Sequence, residues 1–506
     1  MKLILAASCL LVLGAQSSTA QLAGTYTVGG NSPDFATFQD AADSLLAVGV
    51  SGPVDILARP GIYTSPDSAQ QVLAITEEIA GASNSSRVRF APDVASGGNN
   101  ENIVLRRFAG PRENGFIVAL LSSHVTVDGF SIQLSDTSAT TGEIPSLVYI
   151  NLASGTGVRN LLIDGLGRRA SRCVWLESIG VDVFASDNRI LDCLEGINQS
   201  NFGGSGGAAD RLMITGNHLS GMSASASRLA PGQYGIHLRP DGGGEDIVVA
   251  DNVLDYRGGS GITGIHIGGI GKPRLRVERN QVFGLDHNLG FSGFGYILEV
   301  SDAPNGLIAN NFLSGNAYRS TGVRLNLIQN SDSLTFAHNT VRVGGGGCGA
   351  LQVNRDSRFR SYVRVLDNIL ISEGNCANFA YPHMSFSYTT DAEIDYNVHN
   401  TIAPWGIVRV ETVGNIEDLA AWQDYGFGAN SLVQRPEFVD DQSDLHLGEC
   451  AFEDESLRGI ALPLVPIDFD SEGRDPQIPF IGADEPGGGP PDVFGAPSIF
   501  AAGKGP

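Results

Sequence analysis

Lysine is nearly absent from this sequence. Only Lys2, Lys272 and Lys504 are lysines among 32 basic residues, and 55 acidic residues give a formal net charge of -23 at pH 7. Such an acidic chain repels phosphate backbones and anionic lipid. We therefore expect no nucleic-acid partner, and the scarcity of lysine argues against chemistry that uses a lysine base.

Cysteine is also scarce, and its spacing gives no support to a structural zinc site. No two cysteines are separated by two residues, the usual spacing of zinc ligands; the six are Cys9, Cys173, Cys193, Cys348, Cys376 and Cys450. In an exported protein, disulfides are the default state of cysteine. Because Cys9 lies in the expected leader, an odd number remains, and Cys450 is most simply the unpaired thiol.

Long hydrophobic runs are missing apart from one at the N-terminus. Lys2, the apolar run from Leu3 to Leu13 and the small residues ending at Ala20 are typical of a signal peptide over residues 1-20, cleaved near Ala20. No later stretch approaches the roughly 18 apolar residues of a membrane span. We therefore expect a secreted or cell-surface protein with no transmembrane segment.

Glycine and asparagine are abundant, and asparagine recurs at a regular interval. The 65 glycines favour a turn-rich β architecture over a helical one. A short pattern with Asn between apolar residues repeats at intervals of 28 to 35 residues, and Phe130 takes the same place one repeat earlier; the asparagines are Asn160, Asn188, Asn217, Asn252, Asn280, Asn311, Asn339, Asn368 and Asn397. Period-2 segments such as Gly264–Ile267 lie between them, which is the periodicity of strands.

A repeat of this length has room for three short strands but not for helices. Since one such unit cannot bury its own apolar face, the units must stack. The sequence therefore predicts an all-β protein, a right-handed parallel β-helix of about eleven turns. We expect the asparagines to adopt left-handed backbone angles and to form a ladder of amide hydrogen bonds inside one corner.

The ends of such a column need covers, because they expose apolar side chains and unpaired backbone groups. Thr37 to Asp40 reads as a capping box that begins an N-terminal capping helix ending near Val48. We divide the chain into the leader (1-20), the N-terminal strand, capping helix and first turn (21-86), the β-helix (87-400), a C-terminal closing segment (401-485) and a Gly/Pro-rich tail (486-506).

The repeat also suggests which cysteines meet. Cys348 and Cys376 are one repeat apart and at nearly the same offset from their asparagines, so we expect a disulfide between adjacent turns there. Cys173 with Cys193 is a second and weaker pairing.

The chain resembles the secreted right-handed parallel β-helix proteins of the pectin-lyase-like superfamily. The resemblance rests on the opening Gly24–Val28, the capping helix, the asparagine repeats and the closing Ile481–Glu485, and it covers roughly residues 22-485. It implies the fold but no single activity, because the superfamily contains lyases, hydrolases, epimerases and adhesive columns. Sequence motifs of its polygalacturonases and of its calcium-dependent pectate lyases are absent here.

One outward row of side chains is the candidate site. Rungs about 4.8 Å apart place equivalent residues in a line, and the residues expected in that line are Tyr149, Trp175, Asn198, His237, His266, Glu299, Arg324 and Gln352. The place of Glu299 in this line depends on the strand register, because the segment from Tyr296 to Val300 fits the pattern in two registers. The aromatic side chains suit stacking on sugar rings.

Two hypotheses follow. In the first, the row binds extracellular or cell-surface polysaccharide, and in a lyase or glycoside hydrolase His237 and His266 would exchange protons while Arg324 neutralises a uronate carboxylate. In the second, the protein is a structural or adhesive column and the row is ordinary sheet surface. No cofactor is expected, with calcium at Asp468–Asp470 as the one alternative, and we expect a monomer.

Overall fold

The computed structural model describes residues 20-485 apart from seventeen short gaps. These gaps are 66-70, 108-115, 135-145, 166-171, 201-208, 222-233, 240-244, 257-262, 269-273, 287-294, 317-320, 328-332, 346-348, 357, 359-360, 374-382 and 403-405. The expected leader and tail therefore lie outside the described residues. Within them, no helix is long and apolar enough to cross a membrane.

The described chain forms three long sheets, which we call A, B and C, each with 13 strands. Elements are numbered in chain order. Sheet A consists of β1 (Leu22–Val28), β2 (Val50–Ala58), β5 (Val88–Pro92), β8 (Val125–Asp128), β11 (Gly157–Arg159), β14 (Phe184–Ser186), β17 (Met213–Thr215), β20 (Val248–Ala250), β23 (Arg276–Glu278), β26 (Gly306–Ala309), β29 (Ser333–Ala337), β32 (Tyr362–Leu366) and β35 (Ala392–Asp395).

Sheet B follows sheet A in every turn of the chain. It consists of β3 (Gly61–Thr64), β6 (Ile103–Arg107), β9 (Ser131–Leu134), β12 (Leu162–Asp164), β15 (Arg189–Leu191), β18 (His218–Ser220), β21 (Val253–Asp255), β24 (Gln281–Asp286), β27 (Phe312–Asn316), β30 (Thr340–Val343), β33 (Ile369–Ser372), β36 (Val398–Thr401) and β39 (Leu432–Val433).

Sheet C completes each turn. It consists of β4 (Leu73–Ile75), β7 (Val118–Leu120), β10 (Val148–Asn151), β13 (Arg172–Glu177), β16 (Glu195–Ser200), β19 (Tyr234–Arg239), β22 (Thr263–Ile267), β25 (Tyr296–Ser301), β28 (Thr321–Leu327), β31 (Gly349–Arg355), β34 (Met384–Phe386), β37 (Val408–Val410) and β38 (Gly414–Ile416). Only β38 runs antiparallel to its neighbour in this sheet. The predicted parallel β-helix is confirmed, and its length is close to the predicted eleven turns.

Helices close both ends of the column. At the N-terminal end, α1 (Phe38–Val48) has the predicted capping box between Thr37 and Asp40 and buries Phe38 and Leu45. At the other end lies α2 (Leu419–Asp424), whose Trp422 is fully buried in the main core. Helix α3 (Glu449–Phe452) belongs to the C-terminal segment. Short 3-10 helices span Val94–Ser96 and Glu455–Leu457, and β40 (Phe438–Asp440) pairs with β41 (Asp444–Leu447).

The C-terminal segment returns along the outside of the column. Phe312 and Ile369 of sheet B belong to a second apolar cluster with Phe480 and Ile481, separate from the interior core. The main-chain N–H of Ala483 also donates to Thr340 Oγ1 at 3.1 Å. Residues 438-485 therefore cover one face of sheet B, while the end of the column is closed by α2.

An asparagine ladder runs through the corner between sheets A and B. The Nδ2 of Asn217 donates to Oδ1 of Asn252 at 2.9 Å, and Asn252 donates in the same way to Asn280 at 2.9 Å. The ladder has eight fully buried members in the described residues, which are Asn188, Asn217, Asn252, Asn280, Asn311, Asn339, Asn368 and Asn397. Its amides also bond to main-chain carbonyls, so each satisfies polar groups of the corner that water cannot reach.

Asn160, the ninth predicted member, lies outside the ladder. Its side chain is exposed and donates to Asp128 Oδ1 at 2.8 Å. The main-chain N–H of Leu161 donates to Asn188 Oδ1 instead, so Leu161 occupies the interior position in that turn. The prediction for Asn160 was wrong by one residue, because Asn and Leu are adjacent there and the sequence repeat cannot fix which one points inward.

The expected backbone conformation of the ladder residues was also wrong. The residue directly before a ladder asparagine has the positive φ, as at Asp251 (58°), Arg279 (52°) and His338 (51°). Asparagine is tolerant of this region, but here the left-handed residue makes the corner and the asparagine that follows points inward.

One of the two expected cysteine pairs lies in the described residues. Cys173 and Cys193, the weaker of the two expected pairings, form a disulfide. Cys348 and Cys376 lie outside the described residues, so their pairing stays a prediction. Cys450 is a free, exposed thiol, as expected.

Candidate functional site

The structure brings all eight predicted row residues into one line on the outer face of sheet C, which we call the row. Successive members are direct register partners on neighbouring parallel strands: Tyr149 with Trp175, Trp175 with Asn198, Asn198 with His237, His237 with His266, His266 with Glu299, Glu299 with Arg324, and Arg324 with Gln352. Strand alternation explains this placement, because Leu298 and Val300 on either side of Glu299 are buried in the core.

The first part of the row is an aromatic cluster. Phe116, just before β7, stacks on Tyr149 with ring centroids 4.2 Å apart, and Tyr149 lies 4.9 Å from the ring of Trp175. The Tyr149 hydroxyl donates to Glu177, and burial, followed by this contact, raises the pKa of Tyr149. The indole Nε1 of Trp175 donates to Ser200 Oγ at 3.0 Å. The polar ends of both rings are thus tied to the protein, and their apolar surfaces form one continuous patch.

The next part of the row is polar and tightly bonded. Glu195 Oε2 accepts from Arg172 Nε at 3.0 Å and from Asn198 Nδ2 at 2.8 Å, and the Arg172 guanidinium lies 4.5 Å from the Trp175 ring centre. Burial raises the pKa of Glu195, although Arg172 opposes the shift. These contacts hold Asn198 against His237, whose Nδ1 lies 3.1 Å from Asn198 Nδ2.

The two predicted histidines lie side by side. The ring centroids of His237 and His266 are 4.9 Å apart, and Tyr234 packs against both at 4.2 Å and 5.2 Å. Burial, with a smaller contribution from His266, lowers the pKa of His237 to about 3. His237 is therefore neutral at physiological pH. Because Asn198 donates to Nδ1, the proton of that imidazole lies on Nε2.

A carboxylate joins the second histidine to the arginine. Glu299 Oε2 lies 3.6 Å from His266 Nε2, and Glu299 Oε1 lies 3.5 Å from Arg324 Nη1. Asn326 also donates to Glu299 Oε1 at 3.0 Å. Burial raises the pKa of Glu299, while Arg324 and then Asn326 oppose the shift. Among the row residues, Glu299 and His266 form the pair best placed to exchange a proton.

Arg324 is held on several sides, which changes its expected role. Its Nη1 donates to the Tyr296 hydroxyl at 2.7 Å and its Nε donates to Asn326 Oδ1 at 2.9 Å, in addition to the ion pair with Glu299. We expected Arg324 to neutralise a uronate carboxylate, but the structure already gives it an acidic partner. A carboxylate ligand would have to compete with Glu299.

Comparison with known proteins identifies the fold. No protein-family model and no curated protein sequence matches the chain. A solved structure of XylC with xylose covers 91% of this chain and 98% of its own, with a TM-score of 0.52 at 10% sequence identity. The chain has the pectin-lyase-like parallel β-helix fold.

Two further solved structures resemble this pectin-lyase-like β-helix more distantly. A mannuronan C-5 epimerase module from Azotobacter vinelandii has a TM-score of 0.42 at 11% identity over 79% of this chain and 92% of its own. An alginate lyase from Paenibacillus sp. str. FPU-7 has a TM-score of 0.35 at 13% identity over 71% and 98%. At these identities the similarity concerns the fold alone.

Several side chains of the site were missed by sequence reasoning. Glu177 lies two residues beyond the row position on its strand, so strand periodicity could have found it. Glu195 and Tyr234 each lie three residues before a row member and still reach the outer face. Phe116 belongs to a connection before β7, and no periodic signal marks it.

The ends of the row are less informative. Gln352, the last predicted member, is half-buried on β31 beside Arg324. The sequence also carries extra residues around Gly221 to Gly232 and Arg239 to Gly244, which we expected to wall a cleft next to His237; of these, residues 222-232 and 240-244 lie outside the described residues. The wall of a cleft there stays a prediction.

The predicted calcium position lies in a different region of this pectin-lyase-like β-helix. Asp470 there gathers with His446 and Asp484, with ligand atoms within 4.8 Å of one another, while Asp468 is not one of this group. Burial alone would lower the pKa of His446, but hydrogen bonds to Asp444 and Asp470 raise it to about 10. A protonated imidazole thus supplies positive charge to these carboxylates, and calcium stays a prediction.

Proposed function

We propose that this protein binds polysaccharide along the row, and that the polymer is a neutral one. The observation that carries the proposal is the line of eight outward side chains on consecutive strands, which offers repeated contacts to an extended chain of sugars. The solved structure of XylC with xylose, which has a TM-score of 0.52, supports carbohydrate contact in general.

The row provides two kinds of contact that suit a sugar chain. The patch formed by Phe116, Tyr149 and Trp175 is apolar and rigid, and such aromatic surfaces commonly anchor ligands. Beyond it, His237, Glu299 and Arg324 supply hydrogen-bonding groups. A polymer lying across the strands would meet the aromatic patch first and the polar groups next.

The charge balance favours a neutral polymer over a polyuronate. Two arginines beside the row have acidic partners: Arg172 pairs with Glu195, and Arg324 pairs with Glu299. With its formal net charge of -23, the chain as a whole also repels polyanions at long range. We therefore expect Arg324 to contact sugar hydroxyls and not a uronate carboxylate.

Acid–base chemistry at the row, if it accompanies binding, falls to Glu299 and His266. Burial raises the pKa of Glu299, which favours the protonated form that a general acid needs. His237 is a weaker candidate than we expected, because a pKa near 3 makes it a poor base. The sequence assignment of His237 and His266 as the acid and base therefore becomes Glu299 with His266.

A glycan array followed by titration tests the proposal. We expect wild type to bind neutral polysaccharides more tightly than polyuronates, and the Trp175→Ala variant to lose at least tenfold in affinity. His266→Gln should also bind more weakly, and His218→Gln is its matched control, since His218 is an exposed histidine on β18 of sheet B. Reducing-end assays on the bound polymers then measure turnover.

Binding that is absent for every glycan, or equal for wild type, Trp175→Ala and His266→Gln, contradicts the proposal. It would leave the second hypothesis, a structural or adhesive column with no saccharide site. Binding without turnover supports the proposal and assigns the row to recognition alone.

A further inference from the structure

A histidine and two aspartates lie together where the C-terminal segment covers sheet B. The ligand atoms of His446, Asp470 and Asp484 all lie within 4.8 Å of one another, and His446 Nε2 is 3.0 Å from Asp470 Oδ2. Each residue comes from a different stretch of the segment: His446 from β41, Asp470 from a turn and Asp484 from the closing residues. Three stretches of chain therefore meet at one point.

Neighbouring groups hold these side chains in place. His446 Nδ1–H donates to Asp444 Oδ1 on the same strand, which leaves Nε2 as the nitrogen that faces the aspartates. The main-chain N–H of Leu447 donates to Asp484 Oδ2 at 2.8 Å. Strand alternation explains part of this arrangement, because it places Asp444 and His446 on one face and buries Leu445 and Leu447. Histidines and carboxylates that bind metals commonly have such outer hydrogen bonds.

Aromatic rings enclose the histidine on two sides. Phe312 of β27 lies edge-on to His446 with ring centroids 4.7 Å apart, and the ring of Phe469 lies at 5.6 Å. The side chains of His446 and Asp470 are 15% and 16% exposed, while Asp484 is buried. Water can therefore reach the three residues through a narrow opening, and the apolar rings shield the rest of the cluster from solvent.

The cluster carries more negative than positive charge. Four aspartates of the described chain lie around His446, namely Asp444, Asp468, Asp470 and Asp484. Asp468 is fully buried, and its Oδ2 has no hydrogen-bond partner in the described chain. Its charge interacts unfavourably with those of Asp470 and Asp484, and Arg474, which attracts it, forms its ion pair with Glu485. A buried carboxylate without a partner, beside like charges, indicates a missing cation or water.

We propose that His446, Asp470 and Asp484 bind one Zn(II) ion, with Asp444 positioning the imidazole. Zinc sites with three protein ligands commonly take water as the fourth. With metal–ligand distances of about 2.0 to 2.2 Å, two ligand atoms at a tetrahedral angle are about 3.4 Å apart, so the 3.0 Å between His446 Nε2 and Asp470 Oδ2 requires only a small movement. Imidazole nitrogen suits zinc, whereas calcium takes oxygen ligands. Zinc therefore replaces the calcium expected here from the sequence.

Zinc at this position fastens the C-terminal segment to the column. The ion takes the place of the proton between His446 Nε2 and Asp470, and it supplies two positive charges instead of one. It also joins β41 to the closing residues, while Phe312 of sheet B packs against the ligating imidazole. Zinc should therefore stabilise the folded chain. Because the ion must displace a proton, binding is measured at pH 8.

Competition with a zinc chelator tests the site. The full chain, stripped of metal, carries Cys450→Ser in all variants, because an exposed thiol is itself a zinc ligand. We expect one zinc per chain in this background and an affinity at least 100-fold lower for His446→Gln. Asp444→Asn keeps all three ligands and should lose 10- to 100-fold. His218→Gln, at an exposed histidine on β18, is the matched control and should bind zinc as the background does.

Thermal unfolding gives a second readout. Zn(II) should raise the melting temperature of the background and of His218→Gln, but not that of His446→Gln. Asp470→Asn should behave as His446→Gln does, so the test does not depend on the folding of a single variant. Equal zinc affinity in the background and both ligand variants overturns the proposal, as does a crystal structure with zinc bound elsewhere and none at His446. Calcium binding that is tighter than zinc binding overturns the assignment of the metal.

Discussion

Glu299 Oε2 lies 3.6 Å from His266 Nε2 on the neighbouring strand of sheet C. The other oxygen of the same carboxylate lies 3.5 Å from Arg324 Nη1. One acidic side chain of the row thus contacts two basic ones. The Glu299 carboxylate therefore determines the charge that a polymer meets at this part of the row.

Replacing Glu299 by glutamine should change the charge preference of the row. Glu299→Gln removes the acidic partner of Arg324, so the guanidinium becomes available to an anionic ligand. We expect polyuronate affinity to rise about tenfold at low salt, with a smaller change for neutral polymers. Titrations of both polymers at low and high salt measure the effect.

Glu393→Gln is the matched control for that experiment. Glu393 accepts from Arg364 Nε at 2.7 Å in a similar cross-strand pair, but on sheet A. It should leave both affinities unchanged. Polyuronate binding that does not respond to Glu299→Gln would mean that Arg324 does not face the polymer.

The asparagine ladder should carry measurable stability. Asn280 Oδ1 accepts from the main-chain N–H and the Nδ2 of Asn252, and its own Nδ2 donates to Asn311 Oδ1. Asn280→Ala leaves several buried polar groups without partners, each costing about 1 to 3 kcal/mol. We expect the free energy of unfolding to fall by about 3 kcal/mol in denaturant titrations.

Asn160→Gly is the control for the ladder. Asn160 has a φ of 53° and an exposed side chain outside the ladder, and glycine accepts that backbone conformation. The change in the free energy of unfolding should stay below about 1 kcal/mol. An equal loss in both variants would show that the ladder has no special role.

The disulfide gives a third stability prediction. Cys173 and Cys193 are 20 residues apart, and closing a loop of that length restricts the unfolded chain by about 3 kcal/mol. The double variant Cys173→Ala, Cys193→Ala should lose about that amount, measured by denaturant titration under oxidising conditions. Cys450→Ser should lose nothing, and a double variant as stable as wild type would contradict the pairing.

The docking of the C-terminal segment should depend on pH through Asp367. Its Oδ1 accepts from the N–H of Ile460 at 3.0 Å, and its main-chain oxygen accepts from the N–H of Gly482 at 2.8 Å. Burial raises the pKa of Asp367 from 3.8 to about 8, although the bond from Ile460 opposes the shift. Because this pKa is higher in the folded than in the unfolded state, protonation of Asp367 favours the folded state. The stabilisation is complete below pH 3.8 and is lost as the pH rises through 8.

Hydrogen exchange at pH 5 and pH 9 measures this effect. After correction for the intrinsic rate, protection of the Ile460 and Gly482 amides should be lower at pH 9. Asp367→Asn resembles the protonated carboxyl and should remove the pH dependence of protection. His338 Nε2 lies 3.7 Å from Asp367 and is neutral over this range, because burial lowers its pKa well below 6.5. Protection that falls equally in the variant would contradict the role of Asp367.

The sequence predicts the column and all eight residues of the row, because both follow from local periodicity. Asn252 and Asn280 share one apolar pattern and one repeat length, so their stacking follows from the sequence alone. His237 and His266 lie at the same place in strands with the same alternation. At Asn160 the pattern is one residue out, and periodicity cannot choose between two adjacent residues.

The number of residues between neighbouring strands of sheet C could not be predicted. Arg172 and Glu195 are register partners only 23 residues apart, while Asn198 and His237 are partners 39 apart. The number of residues between neighbouring strands of sheet C therefore varies, even where the spacing of the asparagines is regular. That variation also brings Cys193 to Cys173, which a constant repeat does not predict.

The site chemistry depends on burial, which the sequence does not show. The low pKa of His237 and the raised pKa of Glu299 both arise chiefly from desolvation. Arg324 was assigned to a ligand carboxylate because its neighbours across the sheet depend on the register of Glu299. Once that register is known, the internal ion pair follows directly.

A crystal structure of the full chain with a bound neutral oligosaccharide tests the central claim most directly. The account predicts sugar rings across the strands of sheet C, in contact with Trp175, His266 and Glu299. Sugar bound on sheet A or sheet B, with the row uncovered, would contradict it.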